Sequence, residues 1–177
     1  MSNTTVLRHS KTRRLTYLAV FIALSTVGAN LKIPSITGTP AFDSFPAFLA
    51  ALLLGPGDAA IIGALGHMLT ALTAGFPLTI PIHLVIAVGM AGIVALFSVV
   101  SRRSLWLGII VGLILNGIIF PALFIPIPTF GKPFFLAMII PLLIASAFNI
   151  ALAEVVFRPL SRVISPSYVK GHQGQNA

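Results

Sequence analysis

The chain has 177 residues, of which 57% are hydrophobic and only 8% charged, and its mean hydropathy is +1.05. Soluble domains carry about 25% charged residues, so this chain has too few to coat a water-facing surface and reads as an all-α integral membrane protein. The net charge of +8 comes from basic residues gathered at the ends of apolar runs, with no basic stripe and interleaved aromatics of the kind that binds nucleic acid.

Six apolar segments follow one another: 15–31, 45–54, 59–74, 80–100, 105–124 and 134–157. The first follows Arg8, Lys11, Arg13 and Arg14 and is longer than a signal-peptide core of about 7–15 residues, so it reads as a retained helix. A polar loop, Lys32 to Ser44, leads to the second segment, which is shorter than the roughly 20 residues of a standard span. Gly55-Pro-Gly57 is a turn, and Asp58 is placed to cap the next helix. The third segment is rich in Gly and Ala and ends at Gly75 and Pro77. Pro81 is acceptable in the first turn of the fourth, and Ser101 to Ser104 form a charged turn. Pro121 lies where it should kink or end the fifth. Pro126, Pro128, Gly131 and Pro133 make a stiff, non-helical loop before the sixth.

Charge asymmetry decides how the short second segment is counted. With six crossings and a cytoplasmic N-terminus, the inside receives Arg8, Lys11, Arg13, Arg14, Arg102, Arg103, Arg158, Arg162 and Lys170, and the outside only Lys32 and Lys132. That distribution obeys the positive-inside rule. A re-entrant second segment would put Arg102, Arg103 and the C-terminal cluster outside. The expectation is one six-helix transmembrane domain over 1–177, with cytoplasmic tails at 1–14 and 163–177. His9 and His172 lie in those tails and carry no chemistry.

In such a chain the few polar residues within the segments mark function. At 1.5 Å per residue, His67 lies near mid-membrane, with Thr70 one turn further out. Asn30 and Lys32 mark the outer end of the first segment, Asp43 and Ser44 the outer start of the second, His83 the outer start of the fourth, and Asn116 the middle of the fifth. These residues converge on an outward-facing pocket under the 33–44 and 125–133 loops. Each has a plain structural alternative: Asp43 and Asp58 as helix caps, His67 and Asn116 as interhelical hydrogen bonds, His83 as an interfacial side chain, Lys32 and Lys132 as interfacial anchors. Glu154 and Arg158 are spaced for a local i, i+4 ion pair.

No phosphate loop, HExxH or GxSxG motif is present, and no cysteine. The two central histidines are not spaced as a metal pair on one helix. The chain is therefore expected not to be an enzyme and to hold no metal and no cofactor. The acids sit at segment ends, which argues against autonomous proton-driven transport. Ala19-Val-Phe-Ile-Ala23 and Gly108-Ile-Ile-Val-Gly112 each place two small residues one turn apart, as internal packing or as a partner-docking face.

The short second segment, the alanine pair in the first helix and the polar first outer loop together resemble the S components of energy-coupling factor (ECF) transporters, the membrane-embedded substrate-binding subunits of vitamin importers. The resemblance covers Leu15 to Arg162. It implies that Ala19 and Ala23 contact a transmembrane coupling subunit, that the 32–44 loop closes over the cargo, and that two cytoplasmic ATPases supply the energy. Lys32-Ile-Pro-Ser35, Phe42-Asp-Ser-Phe-Pro-Ala47, Gly63-Ala-Leu-Gly-His67 and Pro77 to His83 are most similar to the group assigned to alpha-ribazole, a nucleoside used in cobamide salvage. That implies a benzimidazole stacked on Phe42, Phe45 or Phe76, and ribose hydroxyls bonded to Asp43, His67, Asn116 or His83. Riboflavin, thiamine and pantothenate suit similar groups. The rival readings are an autonomous carrier or channel, a ligand-free structural subunit, and a membrane enzyme.

Overall fold

A computed structural model of the chain describes residues 3–36 and 40–163, and side chains within 11–36 and 40–161. Positions 37–39 of the polar loop, Lys170, His172 and the side chains of Arg8, His9 and Arg162 lie outside the described residues. Six helical units follow one another: α1 (Asn3–Gly28), α2 (Phe45–Leu53), α3 (Pro56–Thr73), α4 (Ile80–Ser101), α5 (Leu105–Ala122) and α6 (Gly131–Val163). Among the described residues there is no strand, only an isolated antiparallel bridge between Lys32 and Ala41.

The helix ends differ from the expected boundaries, most of all in α1, α5 and α6. α1 begins at Asn3 rather than 15, so its basic residues extend the helix instead of preceding it. α6 begins at Gly131, because Pro133 falls in its first turn, where a missing N–H costs no intrahelical bond. It continues past Arg158 to Val163, with Pro141 and Pro159 inside it. α5 passes through a wide π turn at Leu115–Ile119, where the Phe120 N–H donates to the Leu115 carbonyl five residues back, and stops one residue after Pro121. Pro121 has no N–H to donate and its ring crowds the carbonyl four residues back, inside the π turn, which accounts for the widened turn just before it.

The short helix α2 is the centre of the molecule. It is about 14 Å long at 1.5 Å per residue, and Pro46 through Ala51 and Leu53 are all buried. Phe48 meets Phe97 of α4 edge-on at 5.0 Å. The Ser98 hydroxyl donates to the Ala51 carbonyl at 2.6 Å. Glycines admit the neighbours: a Cβ at Gly112 of α5 would press on Ile150 and Phe97 and touch Phe48, and one at Gly108 would press on Ser101. The Gly108/Gly112 pair is thus internal packing, whereas Ala19 and Ala23 of α1 are exposed.

The outer surface is apolar. α4, α5 and α6 are each long and apolar enough to cross a membrane, and two thirds or more of each is unburied. Val88, Trp106, Leu136, Ile140 and Val155 are among the side chains on that surface. A continuous face of this kind matches a lipid solvent.

At the basic end, Arg14 of α1 donates from Nε and Nη2 to the Asp58 Oδ1 of α3, both at 2.6 Å. α3 starts at Pro56 with Gly55 as its N-cap, so Asp58 lies in the first turn and joins two helices rather than occupying the capping position expected of it. The expected Glu154–Arg158 pair is not formed. Arg158 is exposed, and the buried Oε1 of Glu154 has no hydrogen-bond partner.

Candidate substrate-binding site

At the opposite end the chain leaving α1 forms a narrow hairpin. Ile33 N–H donates to the Pro40 carbonyl at 2.8 Å and Phe42 N–H to the Leu31 carbonyl at 3.1 Å. Its return limb rests against the end of α1, where a Cβ on Gly28 would strike the Phe42 carbonyl. Under this hairpin lies a cavity of about 700 Å³, its open mouth included. Its lining is mainly apolar with a few convergent polar groups, the make-up of small-molecule pockets.

Three walls define it. Pro40, Ala41, Asp43 and Ser44 come from the hairpin; Phe120, Pro121, Phe124 and Phe134 form an aromatic side from α5, the 123–130 connection and α6; Met90, Met138 and Leu142 are apolar floor. Phe124 holds Phe130 edge-on at 5.6 Å and Phe130 meets Phe134 at 4.8 Å, so the aromatic side is braced by ring contacts. The π turn of α5 carries Asn116 inward, where its Nδ2 donates to the Ser146 hydroxyl at 2.9 Å. Ser146 in turn donates to the Leu142 carbonyl at 2.6 Å.

The polar lining is Asp43, Ser44, His67, Asn116 and Asn149. Among the described residues Asp43 is its one acid, and neither lysine nor arginine lines the cavity. Burial pushes the Asp43 carboxyl up from 3.8 to about 6, while the Thr70 hydroxyl, its own N–H, and the hydroxyl and N–H of Ser44 hold it down. The Ser44 hydroxyl donates to Asp43 Oδ1 at 3.3 Å.

His67 and His83 meet at 3.1 Å, Nε2 to Nδ1. The Leu78 backbone N–H points at His83 Nε2, 3.4 Å away. A backbone N–H must donate, so His83 Nε2 accepts and its ring proton sits on Nδ1. That proton goes to His67 Nε2, leaving Nδ1–H as the remaining donor of His67. Leu78 belongs to a turn in which Phe76 and Thr79 have positive φ, 52° and 72°; such backbone costs on the order of 1–3 kcal/mol per residue and recurs at functional sites.

Of the residues marked from the sequence, the structure brings Asp43, Ser44, His67 and Asn116 to the cavity. Thr70 stands behind Asp43, its hydroxyl in reach of both the Asp43 carboxylate and the Gly66 carbonyl, at 3.0 Å from the latter, and able to donate to one of them at a time. His83 is fully buried behind His67, not interfacial. Asn30 is exposed and its amide donates back to Thr26 of its own helix. Lys32 is exposed on the hairpin. Phe42 packs on Phe148, and Phe76 on His83, outside the cavity, while Phe45 packs against the α2 core; the aromatic lining comes from Phe120, Phe124 and Phe134 instead. Sequence reasoning missed those rings and Asn149. An asparagine inside an apolar helix was the available signal for Asn149, the same one that marked Asn116.

Fold and cavity together define a helical protein with an apolar surface and a mainly apolar cavity near one end of its bundle. Residues 13–161 match the family described as "ECF transporter, substrate-specific component", and the chain belongs to that family. No curated protein and no solved structure matches it.

Proposed function

We propose that the chain is the cargo-capturing subunit of an ECF-type importer and takes an uncharged heteroaromatic vitamin precursor, with alpha-ribazole as the candidate cargo. The lining of the cavity carries this reading. It pairs an aromatic side with amide, hydroxyl and imidazole groups, and among the described residues it offers one carboxyl and neither lysine nor arginine. A ligand carboxylate or phosphate would be buried beside Asp43 without a counter-charge, which is strongly unfavourable. Pantothenate and biotin are disfavoured on that ground; a nucleoside with a flat base and hydroxyls fits both halves of the lining.

In the proposed arrangement the chain crosses six times with both termini inside, as the nine-to-two division of basic residues favours. α2 completes the count despite its length because protein, not lipid, surrounds it. The cavity then faces outward under the hairpin. A coupling subunit docks on the α1 face bearing Ala19 and Ala23, which is exposed and flat enough for close helix approach, and two ATPases drive release inside. The chain itself catalyses nothing and needs no cofactor.

Calorimetry on the purified chain tests the cargo, with alpha-ribazole beside riboflavin, thiamine, biotin and pantothenate. One-to-one binding of alpha-ribazole and none of the carboxylate vitamins is expected. Tight binding of biotin or pantothenate overturns the uncharged-cargo reading. Ala19→Trp with Ala23→Trp should leave that binding intact and abolish uptake by the assembled importer. Uptake into proteoliposomes by this chain alone would point to an autonomous carrier.

A further inference from the structure

Two relays of hydrogen bonds start on backbone groups and end on side chains of the cavity wall. The first starts at the Leu78 N–H, which donates to His83 Nε2 at 3.4 Å. A ring nitrogen that accepts holds no proton, so His83 carries its proton on Nδ1 and donates it to His67 Nε2 at 3.1 Å. By the same rule the His67 proton is confined to Nδ1. The second relay starts at the Leu142 carbonyl, which accepts from the Ser146 hydroxyl at 2.6 Å. Serine has one proton, so towards Asn116 its oxygen can only accept. The Asn116 amide must therefore turn its Nδ2 to Ser146, at 2.9 Å, and its Oδ1 away.

Both relays end in the open. His67 and Asn116 line the cavity. Among the described residues, the buried side-chain nitrogens and oxygens that lack a hydrogen-bond partner belong to Ser101, Asn149 and Glu154. His67 Nδ1 and Asn116 Oδ1 are not among them, and each relay bond uses the other nitrogen of its side chain. Both atoms therefore keep accessible surface where their side chains meet the cavity. The neighbouring polar groups impose no such direction: Asp43 accepts or donates according to its proton, and the Ser44 hydroxyl can rotate.

We propose that these two atoms set the hydrogen-bond polarity of the cavity: His67 Nδ1–H donates to a bare ring nitrogen of the cargo, Asn116 Oδ1 accepts from one of its O–H or N–H groups, and His83 and Ser146 are the positioning residues that hold the two directions. The proposal rests on the binding role given above. It narrows the cargo to a heteroaromatic ring with an unprotonated nitrogen and a donor group on the attached part. Neither direction can invert without breaking a bond to backbone. A cargo with the opposite pattern would set N–H against N–H, the mismatch by which polar sites reject close analogues.

The test uses the full chain in lipid nanodiscs and has two arms. In the first, NMR spectra of isotope-labelled histidine in the ligand-free protein read which ring nitrogen carries the proton, with the His67 signals assigned by their loss in His67→Gln. His67 should carry it on Nδ1 alone, and in His83→Phe the proton should move to Nε2 or divide between the two nitrogens. A proton on His67 Nε2 in the unaltered protein overturns the donor, and an unmoved proton in His83→Phe overturns the positioning role of His83. In the second arm, calorimetry compares alpha-ribazole with the analogue in which C–H replaces the bare ring nitrogen, and with its 2′-, 3′- and 5′-deoxy analogues. The ring analogue and at least one deoxy analogue should bind about tenfold or more weakly than the parent. His67→Phe should erase the first loss and Asn116→Leu the second; where Asn116→Leu does not fold, Ser146→Ala, which frees the amide to turn, should shrink the second loss. Losses that persist in these variants, or equal affinity of the analogues and the parent on the unaltered protein, overturn the assignment. If alpha-ribazole does not bind the unaltered protein, the cargo assignment fails, and the spectra still decide whether the histidine relay fixes the donor.

Discussion

Replacing Asp43 with asparagine should stabilise the protein at neutral pH and leave it nearly unchanged in acid. Asp43 is 8% exposed, and burial raises its carboxyl from 3.8 to about 6. At about 1.4 kcal/mol per unit, that is a penalty of about 3 kcal/mol on the ionised form in the folded state. The sign follows from proton counting. Well below 3.8 both folded and unfolded chains carry the neutral acid. Between about pH 4 and 6 the unfolded chain gives up its proton while the folded chain keeps it, so stability falls as pH rises. Above about pH 6 the loss is complete. Asp43→Asn keeps the shape and never ionises, so its stability lacks this fall. Thermal melts of both proteins followed by circular dichroism from pH 4 to 7.5 give the difference, in which the titration of the other acids and of the histidines cancels. A melting-temperature gap that opens in favour of the asparagine variant through pH 4–6 is expected. Parallel curves would refute the argument and mean that the hydroxyls of Thr70 and Ser44 offset the burial entirely.

Two further outcomes follow from the packing. A Cβ at Gly89 of α4 would strike the Phe120 ring, and Phe120 lines the cavity; Gly89→Ala should therefore displace that ring, weaken cargo binding about tenfold and cost about 1–3 kcal/mol of stability, as calorimetry and a thermal melt would show. Arg14→Ala leaves Asp58 buried at 4% exposure without its guanidinium, and because Arg14 is itself half-exposed the cost should be about 2 kcal/mol. Asp58→Asn on the Arg14→Ala background should restore part of it in the same melts.

The sequence by itself determined the solvent, the helical class and the end of the bundle where polar chemistry gathers. Composition alone excludes a water-coated surface, and apolar segments broken by Pro and Gly leave few ways to satisfy a backbone in lipid other than helices. It also marked Asp43, Ser44, His67 and Asn116, because a polar residue inside or beside an apolar run is costly and stands out. Tertiary structure decided which of the marked residues meet. Asn30 and His83 are as polar as Asn116, yet one bonds its own helix and the other stands behind His67, and helix rotation and depth, which no local spacing records, separate them. The same holds for Arg14 with Asp58, joined across 44 positions, and for the aromatic lining. Phenylalanine faces lipid as readily as a cavity, so Phe120, Phe124 and Phe134 could not be told from the rest until the π turn above Pro121 and the early start of α6 set their directions. The orientation of Asn116 belongs to the same class: only the Ser146 hydroxyl, its proton already held by the Leu142 carbonyl, fixes where the amide oxygen points.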